Sequence, residues 1–203
     1  MSLIKSISGI RGTIGGKAGE GLTPIDVVKF ASAYGAWVIE KTGNPKVVIG
    51  RDARLSGKMI SDLVSATLQG LGIHVIDLGL STTPTVEFAV PKEQAGGGII
   101  LTASHNPIQW NALKLLNSVG EFISDEEGKS ILEKAEKEDF NFAEVKKLGK
   151  YTAIDDYLDR HIQHVLDLEL VDVEAIRARN FKIVVDAVYS TGGISVPKLL
   201  KAL

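Results

Sequence analysis

The sequence predicts an α/β protein. A mostly parallel, mixed sheet sandwiched by helices occupies residues 1–150, and residues 151–203 open a second α/β domain that the chain leaves incomplete. Three observations carry this. Short apolar runs alternate with longer amphipathic stretches, each bounded by glycine or a capping residue. The links between them are short, as in sheets built from strand–helix–strand units. Periodicity then fades over residues 138–152, "EDFNFAEVKKLGKYT", before a new helical pattern begins.

Taken in order, "LTPIDVVKFASAYGAWVIEKTG" (22–43) predicts a helix with Thr23 as N-cap, Pro24 at the first helical position and Gly43 as the stop. "KVVIG" (46–50) is a buried strand, and "GKMISDLVSATLQGLG" (57–72) a helix that Ser56 is placed to cap. "HVIDLG" (74–79) is the next strand, a short helix begins near Thr83–Pro84, and "GGGIILTAS" (96–104) is a third strand. "NALKLLN" (111–117) predicts an antiparallel strand at a sheet edge, and Ser124 caps a charged helix running to Lys137. Beyond the boundary come a helix over 153–170, a short polar helix, a strand at 181–186 ("FKIVVD"), a loop, and the start of another helix. One strand cannot form a sheet. The sequence is therefore read as ending inside its second domain, with exposed apolar surface over 181–203 and self-association or disorder expected there.

Composition narrows the functional classes. The absence of cysteine excludes disulfides, thiolate nucleophiles and Cys-ligated zinc. A net charge of −2 gives no basic footprint for nucleic acid. No apolar run is long enough to span a bilayer, and "MSLIKSISGIRG" lacks a signal-peptide core, so a cytoplasmic protein with no membrane partner is expected.

The chemistry is expected where strands end. In parallel sheets the loops after the strands gather on one edge, which places "GRDARLSG" (50–57) beside "TASHNP" (102–107). A hydroxyl on a tight turn just past a strand is exposed and held, as a covalent nucleophile must be. His105 is adjacent to Ser104 and cannot easily lie under its hydroxyl as a base, so phosphoryl transfer suits the motif better than serine-hydrolase chemistry. Backbone N–H groups of such a turn can also hold phosphate oxygens. The plain alternative is a strand-ending Asn-Pro turn. Arg11, between glycines in "SGIRG" (8–12), Arg51, directly after a strand, and Lys114, an odd charge among apolar residues, are candidate phosphate-binding cations. Each also has a plain alternative: a solvated loop residue, a pair with Asp52, and the polar side of an edge strand.

"TASHNP" followed by "NALKLLN" resembles the signature of the α-D-phosphohexomutases, which include phosphoglucomutases, phosphomannomutases and phosphoglucosamine mutases. "SGIRG", "GRDARLSG" and "STTPTVEFAV" (81–90) resemble that family in the same order, and "IVVDAVYSTGG" (183–193) resembles the opening of its second domain. The resemblance implies a phosphoserine at Ser104 that exchanges its phosphoryl group with a hexose or hexosamine 1- or 6-phosphate through a bisphosphorylated sugar. It implies Lys114 as general acid/base, His105 as a hydrogen-bond partner of the transferring group, and Arg11, Arg51, Thr102 and Asn106 as phosphate- or substrate-binding residues. It further implies Mg²⁺, bound in part through the oxygen of Ser104 or its phosphate, and glucose (or cognate hexose) 1,6-bisphosphate as activator. The family's carboxylate-rich metal loop has no counterpart here, and Asp186 is not that motif, so the 203-residue chain alone is expected to lack turnover. Ala112 stands where the family usually has glycine, and Tyr189 where a smaller polar residue is more usual. Two rival readings remain, a serine hydrolase using Ser104 and a non-catalytic phosphosugar-binding module. His161 and His164, three apart on a helix, are read as an interface or solvated pair, and His74 as structural.

Overall fold

A computed structural model describes residues 2–6 and 9–203; Ser8 of "SGIRG" lies outside the described residues. In chain order the elements are β1 (Leu3–Ser6), β2 (Gly9–Thr13), α1 (Pro24–Thr42), β3 (Lys46–Arg51), α2 (Gly57–Gly70), β4 (His74–Leu80), α3 (Thr83–Lys92), β5 (Gly97–Leu101), β6 (Trp110–Leu116), α4 (Asp125–Lys137), β7 (Tyr151–Ala153), α5 (Tyr157–Leu166), α6 (Val173–Ala178) and α7 (Gly192–Ala202). The strands form one mixed sheet in the order β1-β2-β6-β5-β3-β4-β7. From β5 to β7 neighbours run parallel, and from β1 to β5 they run antiparallel.

Two apolar clusters sandwich the sheet. Phe30, Tyr34 and Val38 of α1, Ile60, Val64 and Leu68 of α2, and Ile131 of α4 pack on one face with Val47, Ile49, Ile99 and Leu113. On the other face Val86 and Val90 of α3 and Tyr157 of α5 pack with Val48, Ile76, Ile100 and Leu116. Alternation along each strand sends neighbouring residues to opposite clusters, as the period of two requires. The caps follow the sequence. Thr23 and Asp26 form a capping box at α1, Gly43 ends it in the left-handed region (φ 64°), and Ser124 and Glu127 form a second box at α4.

Tyr34 ties the α1 layer to the middle of the sheet. Its buried hydroxyl lies 3.0 Å from the Gly98 carbonyl oxygen on β5 and 2.7 Å from that of Leu116 on β6. Burial pushes its pKa up, which keeps the group a donor. Gly97 faces that hydroxyl, and a Cβ there would stand 2.2 Å from it.

Four expectations are corrected. β6 is antiparallel as expected but interior, because the β1–β2 hairpin covers its outer side. Arg11 therefore sits in a strand and not on a flexible loop. Gly9, at φ 129°, allows the approach: a Cβ there would lie 2.2 Å from the Leu113 carbonyl oxygen. Residues 181–186 form no strand; Phe181, Ile183, Val184 and Val185 are exposed, and among the described residues no strand pairs with them. Ser56 occupies the N-cap position of α2 without a side-chain cap bond, since its hydroxyl accepts from buried Asn111 Nδ2 at 2.9 Å. In addition, Tyr151–Ala153 adds a parallel strand beside β4, so the sheet draws on chain beyond residue 150. No described helix is long and apolar enough to cross a membrane.

α5 docks on α3 through Phe88, whose ring is stacked by His161 at 5.0 Å and His164 at 4.8 Å. Lys92 Nζ stands 5.5 Å from the same ring, and His161 Nδ1 lies 3.0 Å from the Thr85 hydroxyl. Burial, and then the charge of His164, lower the His161 pKa from the ordinary 6.5. As pH falls below 6.5 the unfolded chain takes up this proton before the folded chain does, so stability is expected to fall as pH drops below 6.5. In urea unfolding, His161→Phe should flatten that decline. Parallel declines in the wild type and the variant would contradict this account of the contact.

Candidate active site

β5 stops at Leu101, and the chain turns through 102–109 before β6 begins. Inside the turn, the Asn106 N–H donates to the Ala103 carbonyl at 3.0 Å and the Ser104 N–H to the Thr102 hydroxyl at 3.2 Å. Ser104 occupies the tip, exposed, at φ 53°. A non-glycine residue held in the left-handed region costs on the order of 1–3 kcal/mol and persists only where its surroundings impose it.

Those surroundings come from the turn after β3. β3 and β5 are parallel neighbours with Arg51 opposite Leu101, so their carboxyl ends emerge together. The Asp52 N–H donates to the Leu101 carbonyl at 3.1 Å, and Asp52 Oδ1 accepts from the Arg54 N–H at 3.0 Å in an Asx turn. Oδ2 accepts from the Thr102 hydroxyl at 2.6 Å and from Arg54 Nε at 3.2 Å. Arg54 then spends its remaining donors on the Ser104 loop. Nη1 donates to the carbonyls of Pro107 (2.8 Å) and Trp110 (3.0 Å), and Nη2 to those of Ser104 (2.8 Å) and Asn106 (2.7 Å). All five N–H groups of the guanidinium are used, and the Arg54 and Asp52 side chains are only 12% and 13% exposed.

Sequence reasoning missed Arg54 and Asp52. "GRDARLSG" offers two arginines, and the reading favoured the one directly after the strand. The signal was present in the Asp-x-Arg spacing, which suits an Asx turn that sends the second arginine back across the strand ends.

A cavity of about 220 Å³ opens beside the turn, lined among others by Arg11, Thr102, Ser104, His105, Asn106 and Lys114. The structure thus brings six of the seven sequence-predicted site residues together. Arg11 lies opposite Ala112 on β6, and Lys114, two residues further, shares that face. Ala112, the departure from the family pattern, is buried between them and keeps the floor low. None of the described lining residues is acidic, so two cations and a serine hydroxyl line the cavity without a described carboxylate among them. Lys114 Nζ stands 5.6 Å from the Phe122 ring, and the nearby Glu87 carboxyl is pushed up by burial and partly restored by the Lys114 charge.

Arg51 is the exception. It is half-buried outside this lining, and its Nη1 donates to the Asp52 carbonyl at 3.2 Å. The Thr102 hydroxyl lines the cavity while engaged with Asp52 and the Ser104 N–H. On the other side of the turn a wider cleft of about 630 Å³ runs between Leu55, Ile108 and the 188–190 turn, where Tyr189 is fully exposed at φ 57°. Asp186 accepts from the Val188 N–H and shapes that turn. The described residues do not by themselves assemble a complete Mg²⁺ site. Among the described residues no three His, Cys, Asp or Glu side chains gather, and the Asp52 carboxylate is engaged on both oxygens.

Comparison with known proteins gives a consistent set of likenesses. Residues 3–142 match the family model described as "Phosphoglucomutase/phosphomannomutase, alpha/beta/alpha domain I". A phosphoglucomutase/phosphomannomutase of Thermococcus kodakarensis is 36% identical over 196 residues, which cover 95% of this chain and 42% of that protein. A phosphoglucosamine mutase of Nautilia profundicola is 38% identical over 150 residues, covering 74% of this chain and 34% of that protein. The chain therefore spans less than half the length of these curated relatives. The fold also matches the open form of the Paramecium phosphoprotein parafusin, a phosphoglucomutase, with a TM-score of 0.73 at 17% identity, covering 98% of this chain and 41% of that one.

The strain at Ser104 has a direct test. Glycine tolerates the left-handed region and alanine does not, so Ser104→Gly should be more stable than Ser104→Ala by about 1 kcal/mol. Equal urea midpoints for the two variants would show that the turn relaxes without cost.

Proposed function

The chain belongs to the phosphoglucomutase/phosphomannomutase family, and from that premise we propose that Ser104 carries a phosphoryl group and exchanges it with a phosphosugar bound in the cavity beside it. The observation that carries this reading is the Ser104 hydroxyl, exposed on a strained turn at the rim of a cavity whose wall bears Arg11 and Lys114. The reaction class is an intramolecular phosphotransfer, an isomerisation of a hexose or hexosamine 1-phosphate to the 6-phosphate. The relatives' names span several sugars, so the proposal is set at that class.

In the proposed step a sugar hydroxyl attacks the phosphorus of phosphorylated Ser104. The bond to Oγ breaks as the bond to the sugar oxygen forms, giving a bisphosphorylated sugar. Lys114 acts as general base toward the attacking hydroxyl, and the departing Oγ takes up a proton from solvent. Return of the other phosphoryl group, after the sugar reorients, runs the same step backwards and restores the proton. Arg11 offsets charge on the equatorial oxygens, where phosphoryl transfer gains most from the protein. His105 and Asn106, at the same rim, donate hydrogen bonds to the transferring group. Arg51, outside the cavity, contributes longer-range positive charge. Mg²⁺ would supply further charge neutralisation. Of this chain's described residues, the Ser104 oxygen or its phosphate is the ligand proposed for it. We propose accordingly that the sheet domain carries the nucleophile, that the chain beyond β7 and α5, which still pack on that sheet, leads into a second domain, and that the 203-residue chain by itself runs a half-reaction without steady turnover.

The test is the intact mass of the chain after incubation with Mg²⁺ and glucose 1,6-bisphosphate, followed by peptide mapping. One phosphoryl group on Ser104, and none on Ser104→Ala, is the expected result. Uptake at another residue, or a Ser104→Ala chain modified to the same extent, would overturn the assignment. An unmodified wild type that binds the bisphosphate as tightly as Ser104→Ala would favour a binding module.

A further inference from the structure

We infer that Arg54 is the positioning residue of the nucleophile: its guanidinium, fixed by Asp52, imposes the left-handed backbone on Ser104 and turns the His105 N–H outward as a ready donor. The catalytic part of this inference rests on Ser104 being the phosphoryl carrier; the conformational part does not.

The carbonyls of the turn point at Arg54. Those of Ser104, Asn106, Pro107 and Trp110 converge on one guanidinium, at 2.7–3.0 Å. Without it they would form a concave nest of negative dipole ends directly under the turn, repelling each other and any anion above. Across a trans peptide the carbonyl and the following N–H point in opposite directions. Because the Ser104 carbonyl is drawn to Arg54, the His105 N–H is turned away from it. Among the described residues that N–H has no hydrogen-bond partner. It belongs to the residue after the serine and faces the side of the turn away from Arg54.

The second route of control is Thr102. Asp52 orients the Thr102 hydroxyl at 2.6 Å, and that hydroxyl in turn accepts the Ser104 N–H. Arg54 and Asp52 thus hold the peptide groups on both sides of Ser104. Lysine cannot substitute: an ammonium has three donors and no planar fork, whereas five acceptors surround this site. The four carbonyls lie up to six residues apart, so local turn chemistry alone does not assemble them.

The test uses the full chain with Arg54→Ala and Arg54→Lys. The ³J(HN–Hα) coupling and Cα/Cβ shifts of Ser104 report its φ, and hydrogen exchange reports the Ser104 and Asn106 amides. Both variants should lose the left-handed signature and exchange those two amides about tenfold faster or more, as expected for losing charge-assisted hydrogen bonds. The Ile99 and Leu115 amides in the sheet should keep their protection. Guanidinium ion, added below the unfolding transition, should restore the Ser104 signature in Arg54→Ala only. Where Arg54→Ala fails to fold, Arg54→Lys carries the test. A variant that keeps the wild-type Ser104 coupling and exchange overturns the inference, as does a lysine variant equal to the wild type.

Phosphorylation separates this inference from the proposed function. If the wild type is phosphorylated on Ser104, both variants should slow uptake without weakening bisphosphate binding; equal rates would remove the catalytic part. If another residue takes the phosphoryl group, the functional reading and that catalytic part fall together, and the coupling and exchange results still decide the conformational part.

Discussion

The turn that bears Ser104 depends on one ion pair. Asp52 and Arg54 are largely withdrawn from solvent, and such pairs are costly unless every donor and acceptor is met. Here each guanidinium N–H has an oxygen within 3.2 Å, and both carboxylate oxygens are engaged. The pair binds a turn to a turn. Two loops that have little buried apolar surface of their own share one polar centre, which makes the outer end of the sheet as defined as its core.

The sheet decides which loops can meet at that centre. β3 and β5 run side by side in parallel, so the 52–57 and 102–109 turns leave the same edge. β6 then folds back antiparallel against β5, and β2 pairs on its far side, bringing Arg11 opposite Ala112 and one strand from Lys114. Tyr34 fixes the spacing of β5 and β6 from beneath through two carbonyls. The cavity is what remains between these elements, with small Ala112 for a floor and positive charge on its wall.

Much of this was legible in the sequence because it is local. Thr23, Pro24, Gly43 and Ser124 mark helix ends through their own backbone neighbours, and "NALKLLN" reads as an antiparallel strand. What was missed is non-local. "SGIRG" reads as a loop until β6, a hundred residues away, supplies a partner for Ile10 and Arg11. "FKIVVD" reads as a strand from its β-branched residues, yet a strand exists only beside another. The choice between Arg51 and Arg54 depends on a three-residue turn that leaves one guanidinium on the Asp52 carbonyl and sends the other to the carbonyls of the Ser104 loop. The meeting of the 50–57 and 102–107 segments followed from the order of strands and loops, while Arg11 rather than Arg51 on the cavity wall, and the device that holds Ser104, did not.

The account stands on the cavity between β2, β6 and the Ser104 turn being where a phosphosugar binds. The direct measurement is a titration of the ¹⁵N-labelled chain with glucose 1-phosphate, followed by ¹H–¹⁵N shifts. Saturable shifts centred on Arg11, Ser104, His105, Asn106 and Lys114, weakened in Arg11→Ala, are the predicted result. Shifts confined to Leu55, Ile108 and Val188 on the opposite side of the turn, or none at high ligand concentration, would contradict it.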